Sequence, residues 1–180
     1  MNRSAPDTHE PTLDYHDLAL AAPKAERYAE LRRRVAALVE HEDDWLANLA
    51  NAAAEVFAWL PHLNWAGFYL MRDGELVLGP FQGRPACVRI RVGRGVCGTA
   101  AATRQTQVVP DVNAFPGHIA CDVRSRSEIV VPVVVDDEVV AVLDLDSAEL
   151  ASFDDEDRAG LEALVAALAP HVDWARACAS

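Results

Sequence analysis

Apolar positions recur with helical spacing between Glu26 and Glu40, at Tyr28, Leu31, Val35, Leu38 and Val39, while Arg32, Arg33 and Arg34 occupy much of the other surface. That pattern predicts an amphipathic helix with one face to bury. A second helix is expected from about Asp44 to Leu60, where Trp45, Leu49, Ala52, Val56 and Leu60 form a stripe and Pro61 stops it. The period then changes. WAGFYL at 65–70 reads as a strand, Asp73-Gly74 as a tight turn, and LVLGPF at 76–81 as the return strand of a hairpin. Residues 86–92 alternate, so Val88, Ile90 and Val92 are expected on one face and Cys87, Arg89 and Arg91 on the more polar other.

Gly93, Gly95 and Gly98 bracket a tight passage into a short helical stretch, VCGTAAAT. Their spacing is neither a dinucleotide-binding GxGxxG unit nor a phosphate-binding GxxxxGK[ST] loop. Backbone N–H groups at such a helix start can face a ligand carboxylate; a plain turn is the alternative. Residues 113–127, NAFPGHIACDVRSRS, lack periodicity and read as a surface loop or lid. Two apolar runs follow, 129–135 and 139–146, around a turn at Asp136-Asp137-Glu138. Pro132 favours an edge position or bulge in the first, because it has no N–H to donate. A last helix from about Asp155 is expected to bury Leu161, Leu164, Val165, Leu168 and Val172, with Pro170 kinking or ending it.

Strands joined by short hairpins, with helices at both ends of the chain, predict an α/β domain of the α+β kind. Its central sheet should be largely antiparallel, with the N- and C-terminal helices packed on one side. Residues 24–176 are assigned to this domain, 1–23 to a flexible extension and 177–180 to a tail. No apolar run nears the roughly 20 residues a membrane span needs. The first residues lack the apolar segment of a secretory signal, so a cytoplasmic protein away from membranes is expected. Sixteen basic residues against 28 acidic ones, a net charge of -12, oppose nucleic-acid binding. The amphipathic terminal helices can share an apolar surface in a homodimer or cover the sheet within one chain.

In a reducing compartment the four cysteines should rest as thiols, so a disulfide among them would be transient and functional. Their gaps match no CxxC unit and no common zinc knuckle, and no bound metal is expected. Cys97 lies near a helix start, where backbone donors can favour its thiolate. Cys121 lies in the loop beside His118, with Arg124 and Arg126 following as positive groups that lower a thiol pKa. Cys87 sits on the polar strand face. Taken singly, each has the alternative of a packed or incidental residue. Taken together, Cys87, Cys97 and Cys121 support a cycle in which one thiolate is oxidised to sulfenic acid and a second thiol converts it to a disulfide. An external dithiol resets the pair, with no bound cofactor.

The acidic residues supply the other half of the site. Asp144 and Asp146 in VLDLD project from the same side of a strand, and Glu128 joins them only if the strands pair suitably. Converging carboxylates can bind an ammonium group, and one held protonated can donate a proton; solvated or capping strand-end residues are the alternative. Trp65 and Tyr69 share a strand face and suit either an apolar substrate tail or the core.

With these residues in view, the chain resembles the free methionine-R-sulfoxide reductase family, whose members have a GAF-domain fold. The likeness runs through NWAGFYL at 64–70, LGPFQG at 78–83, ACVRIRVGRGVCGTA at 86–100, GHIACD at 117–122, SEIVVPV at 127–133, VLDLDS at 142–147 and FDDED at 153–157. It covers essentially residues 26–174. The resemblance implies reduction of the R epimer of free L-methionine sulfoxide, with thioredoxin as external reductant and no bound cofactor. It implies Cys121 as the attacking thiol and Cys97 and Cys87 as candidates for resolving it, in an order left open. Glu128, Asp144 and Asp146 carry over as the group that binds the substrate amino group and assists at the sulfoxide oxygen. Trp65 carries over as a wall of the methyl-thioether end, with Tyr69 lining the same pocket. A GAF-type small-molecule sensor and a general protein-thiol carrier are the rivals. Neither needs both the three cysteines and the acidic set.

Overall fold

The computed structural model describes residues 22–117 and 122–179. Most of the expected extension, together with His118 and Cys121, lies outside the described residues. Helix α1 spans Lys24–Val39 and α2 Trp45–Trp59. Helix α1 buries Tyr28, Leu31, Val35 and Val39, but Leu38 is 43% exposed. Adjacent residues on a helix differ by about 100°, and Val39 takes the core-facing direction that the pattern had also given to Leu38. Asp44 caps α2 by accepting from the backbone N–H groups of Leu46 and Ala47 at 2.9 and 3.0 Å.

Six strands follow, β1 (Leu63–Arg72), β2 (Glu75–Gly83), β3 (Arg89–Arg91), β4 (Gln107–Val109), β5 (Ser127–Val135) and β6 (Glu138–Ser147). They lie in the order β3-β2-β1-β6-β5-β4, and every pairing is antiparallel. The β1–β2 hairpin turns through Asp73 and Gly74 at φ 50° and 79°, the left-handed pair that suits the strand twist. Asp136 and Asp137 do the same between β5 and β6. Edge strand β3 is shorter than the alternation predicted: Ile90 is buried, but Val88 is 65% exposed and Val92 40%. Only three residues pair with β2, and Gly93 at φ 81° then turns the chain away. Pro132 lies beyond the last β4 partner, Val130, so its missing N–H breaks no bond to that edge strand.

The two faces of the sheet bury different things. Ala66, Phe68 and Leu70 of β1, Ile129, Val131 and Val133 of β5, and Ala141, Leu143 and Leu145 of β6 share one core with the terminal helices. Those helices are α1, α2, α4 (Asp155–Leu168) and α5 (Trp174–Ala177), numbered after the short helix α3 (Gly95–Thr103). Packing of the terminal helices on one side thus agrees with the sequence reading. Lys24 Nζ donates to Asp154 at 2.7 Å and to Asp157 at 2.6 Å, and Tyr28 OH to Asp157 at 2.9 Å, which tie α1 to the start of α4. Helix α3 covers the other face with a smaller cluster that includes Trp65, Tyr69, Val130, Val142 and Cys97. Among the described residues, no helix is long and apolar enough to cross a membrane.

Candidate functional site

Strand register builds the site on the α3 face. Glu128 of β5 stands directly opposite Asp146 of β6, and Val130 opposite Asp144. On the other side of β6, Asp146 faces Trp65 and Asp144 faces Gly67. Period-two alternation then points Trp65, Gly67, Tyr69, Glu128, Asp144 and Asp146 the same way. The pairing on which Glu128 depended is therefore present. Gly67 leaves a gap that the Trp65 ring fills: a Cβ there would lie 2.7 Å from Trp65 Cη2 and 2.4 Å from Phe81 Cβ.

Cys97 reaches this face from the first turn of α3 and is buried there. Its Sγ donates to Asp144 Oδ2 at 3.2 Å and lies 3.9 Å from Glu128 Oε1. The helix start that could favour a Cys97 thiolate is opposed by its surroundings. Burial pushes its pKa well up, and Asp144 and Glu128 push it further; a helix start is worth less than the loss of water plus adjacent negative charge. The carboxyls respond in the same direction. Burial, then Asp144, raises Glu128 well above the ordinary carboxyl range. Burial raises Asp144 to about 7 against hydrogen bonds from Cys97 and Glu128. Asp146, half-buried, is raised by burial and by Asp144 while a hydrogen bond from Ser125 lowers it. A hydrogen bond between Glu128 and Asp144 needs a proton on one of them. Burial and mutual repulsion thus favour protonation in the cluster. Asp144 Oδ1 is buried without a hydrogen-bond partner among the described residues.

These groups surround a cavity of ≈ 380 Å³, including its open mouth, walled by Cys97, Glu128, Asp144, Asp146, Ser125 and the α3 start at Gly95–Val96. Of the glycine passage, Gly95 begins α3 at the cavity wall. The N–H of Gly93 donates to Gly98 O at 2.7 Å and that of Gly98 to Arg94 O at 3.1 Å, so both are engaged internally. The first turn of α3, from Gly95, forms part of the cavity wall, and the N–H groups of a helix's first turn have no partners within the helix. Trp65 and Tyr69 are buried in the apolar cluster on this face, with ring centroids 5.9 Å apart. Trp65 also stacks on Phe81 at 5.4 Å. Tyr69 OH donates to the Cys87 carbonyl at 3.1 Å, linking the aromatic floor to that cysteine.

Cys87 is half-buried and disulfide-bonded, whereas Cys97 and Cys178 are free. Cys178 Sγ donates to the Val140 carbonyl at 3.3 Å, away from the cavity. Arg124, read as a positive group for the loop thiol, is instead paired with Asp122, donating from Nη2 at 2.6 Å and Nε at 3.0 Å to one carboxylate oxygen. That pairing holds the Asp122 carboxyl down at about 2. Ser125 and Asn64 escaped the sequence reading. Asn64 Nδ2 donates to Ser125 Oγ at 3.0 Å, behind Asp146. Neither carries a local signal; only the meeting of β1 with the 122–125 loop gives them a role.

Residues 39–173 match the GAF domain family model. The chain is 56% identical over 145 residues to the free methionine-R-sulfoxide reductase of Escherichia coli, covering 81% of this chain and 88% of that one. To the free methionine-R-sulfoxide reductase of Saccharomyces cerevisiae it is 46% identical, over 71% of this chain and 75% of that one. The solved structure of free methionine-R-sulfoxide reductase from Neisseria meningitidis in complex with its substrate superposes with a TM-score of 0.82 at 47% identity, covering 87% of this chain and 94% of that one.

Proposed function

The chain belongs to the free methionine-R-sulfoxide reductases of the GAF-domain family, and from that premise we propose that it reduces the R epimer of free L-methionine sulfoxide to L-methionine. The observation that carries the reading is the convergence of Glu128, Asp144 and Asp146 on one cavity, with Asp144 Oδ1 buried and without a partner among the described residues. A substrate ammonium supplies the missing donor. A peptide-linked residue, whose nitrogen is an amide, has neither the charge nor the three protons, and leaves that oxygen unsatisfied. The α3 N–H groups receive the free carboxylate, and Trp65 and Tyr69 line the methyl-thioether end.

In the reaction, the Cys121 thiolate attacks the sulfoxide sulfur while the sulfoxide oxygen takes a proton from the acidic cluster. The attack forms a bond between the two sulfurs; the hydroxyl then passes from methionine sulfur to Cys121 sulfur as that bond breaks, so methionine leaves with the sulfur electron pair and Cys121 becomes sulfenic acid. A second thiol then displaces that oxygen as water and leaves a disulfide, which the dithiol of thioredoxin reduces by exchange. Cys87 is the favoured resolving thiol: it is the one engaged in a disulfide, while Cys97 is free and held neutral beside Asp144. Reliance on thioredoxin fits a cytoplasmic enzyme.

Consumption of the two resolved epimers of free methionine sulfoxide, and of an N-acetylated sulfoxide, is followed with thioredoxin, its reductase and the nicotinamide reductant. Turnover is expected for the free R epimer alone and is lost in Cys121→Ser. Equal turnover of the N-acetylated compound would overturn the role of the acidic site, and binding without turnover by the reduced protein would indicate a sensor.

A further inference from the structure

The three deepest polar groups of the cavity stand as metal ligands stand, although cysteine spacing in the sequence gave no sign of it. Cys97 Sγ, a Glu128 oxygen and an Asp144 oxygen all lie within 4.8 Å of one another, and all three residues are buried. For tetrahedral zinc, bonds of about 2.3 Å to sulfur and about 2.1 Å to oxygen put sulfur and oxygen about 3.6 Å apart. The observed sulfur–oxygen distances of 3.2 and 3.9 Å straddle that value. The pairing residues are 31 and 47 positions away from Cys97, so no local motif announces them. Asp144 Oδ1, buried and without a hydrogen-bond partner among the described residues, is the independent sign that this group has room for a cation.

We infer that the reduced protein binds a thiophilic divalent transition-metal ion, Zn²⁺ or its congeners Co²⁺ and Cd²⁺, through Cys97, Glu128 and Asp144, with a fourth position open to the cavity. Binding replaces the Cys97 S–H bond by a metal–sulfur bond and releases that proton to solvent. No electrons move. A thiolate ligand selects against Mg²⁺ and Ca²⁺, which prefer all-oxygen shells. The ion occupies the place assigned above to the substrate ammonium, so the metal and the free amino acid exclude one another. That consequence rests on the proposed function; metal binding itself does not.

Co²⁺ titrated into the fully reduced chain tests it, because a cobalt–thiolate bond gives a near-ultraviolet charge-transfer band that oxygen ligands do not. One equivalent should produce the band, and Zn²⁺ should bleach it. Cys97→Ser should abolish it and Asp144→Asn should weaken binding at least tenfold, both with circular dichroism of the folded protein retained. Cys178→Ser should leave it unchanged. Absence of the band, or its persistence in folded Cys97→Ser, would overturn the site. Free L-methionine should raise the apparent Kd for Co²⁺, and Zn²⁺ should inhibit competitively. A thiolate band indifferent to methionine would keep the metal site and overturn the shared position.

Discussion

Asp144→Asn separates the binding role of the acidic cluster from its place in the fold. Asp144 faces Gly67 across the β1–β6 pairing and Val130 across β5–β6, and it is 6% exposed. Its Oδ2 accepts from Cys97 at 3.2 Å, and an amide oxygen can keep that bond. Its Oδ1, without a partner among the described residues, becomes an NH₂ group that cannot accept from an ammonium. Removing one partner of a buried, hydrogen-bonded charge pair costs about 2–5 kcal/mol. At about 1.4 kcal/mol per decade, kcat/KM for the free sulfoxide should fall about 30- to 4,000-fold. The assay compares competitive inhibition by L-methionine and N-acetyl-L-methionine in the variant and the wild type. The constant for methionine should rise by a similar factor, while that for the acetylated compound changes less than about threefold, since it offers no ammonium. Urea denaturation completes the test. Loss of one buried acid from a set of three should leave the variant at least as stable as wild type. An equal loss for both inhibitors, with full stability retained, would refute the ammonium assignment.

Other outcomes are expected elsewhere in the molecule. Gly67→Ala places a Cβ 2.4 Å from Phe81 Cβ and should cost about 1–3 kcal/mol, with a changed near-ultraviolet dichroism from the displaced Trp65; unchanged spectrum and stability would contradict the packing. In the reduced, folded protein at pH 8, Cys97 should resist iodoacetamide for times that alkylate it fully in urea, because burial and Asp144 hold it neutral; equal rates, read by peptide mass, would show a thiolate. Lys24→Met should destabilise by at least about 1 kcal/mol at pH 6, because it removes the partner of half-exposed Asp154 and of buried Asp157. The Asp154 carboxyl is lowered to about 2 from 3.8 by Lys24, so the pair stabilises above pH 4 and that contribution fades as pH falls towards 2; a difference constant from pH 6 to pH 2 would deny it.

Much of the site was legible because a strand alternates. Asp144 and Asp146 stand two apart, so their common face followed from sequence, as did that of Trp65 and Tyr69. Whether Glu128 joined them was a question of register, answered by the hairpin at Asp136-Asp137 that sets Glu128 opposite Asp146. The ionisation of Cys97 was not legible. A helix start is a local signal, but the acids that oppose it come from β5 and β6, and their effect grows only once water is excluded. The pairing of Arg124 with Asp122 lay within reach, two residues apart in the chain, yet loop composition does not say which way a guanidinium turns. Ser125 and Asn64 were illegible for the reason that they meet only in three dimensions.

The placement of Pro132 bears on whether another strand can add to the edge of the sheet. Residues 129–135, Ile-Val-Val-Pro-Val-Val-Val, form a seven-residue β-prone stretch without charge, the kind that templates fibrils. Strand β4 shields its first half, ending against Val130, and leaves the second half without that neighbour. Proline stands at the start of the unshielded half and removes one donor, and the register slips between Val133 and Val134 just beyond. An incoming strand therefore finds an interrupted edge. Replacement by valine would restore an unbroken ladder, and light scattering during refolding should rise as cross-β growth finds its template.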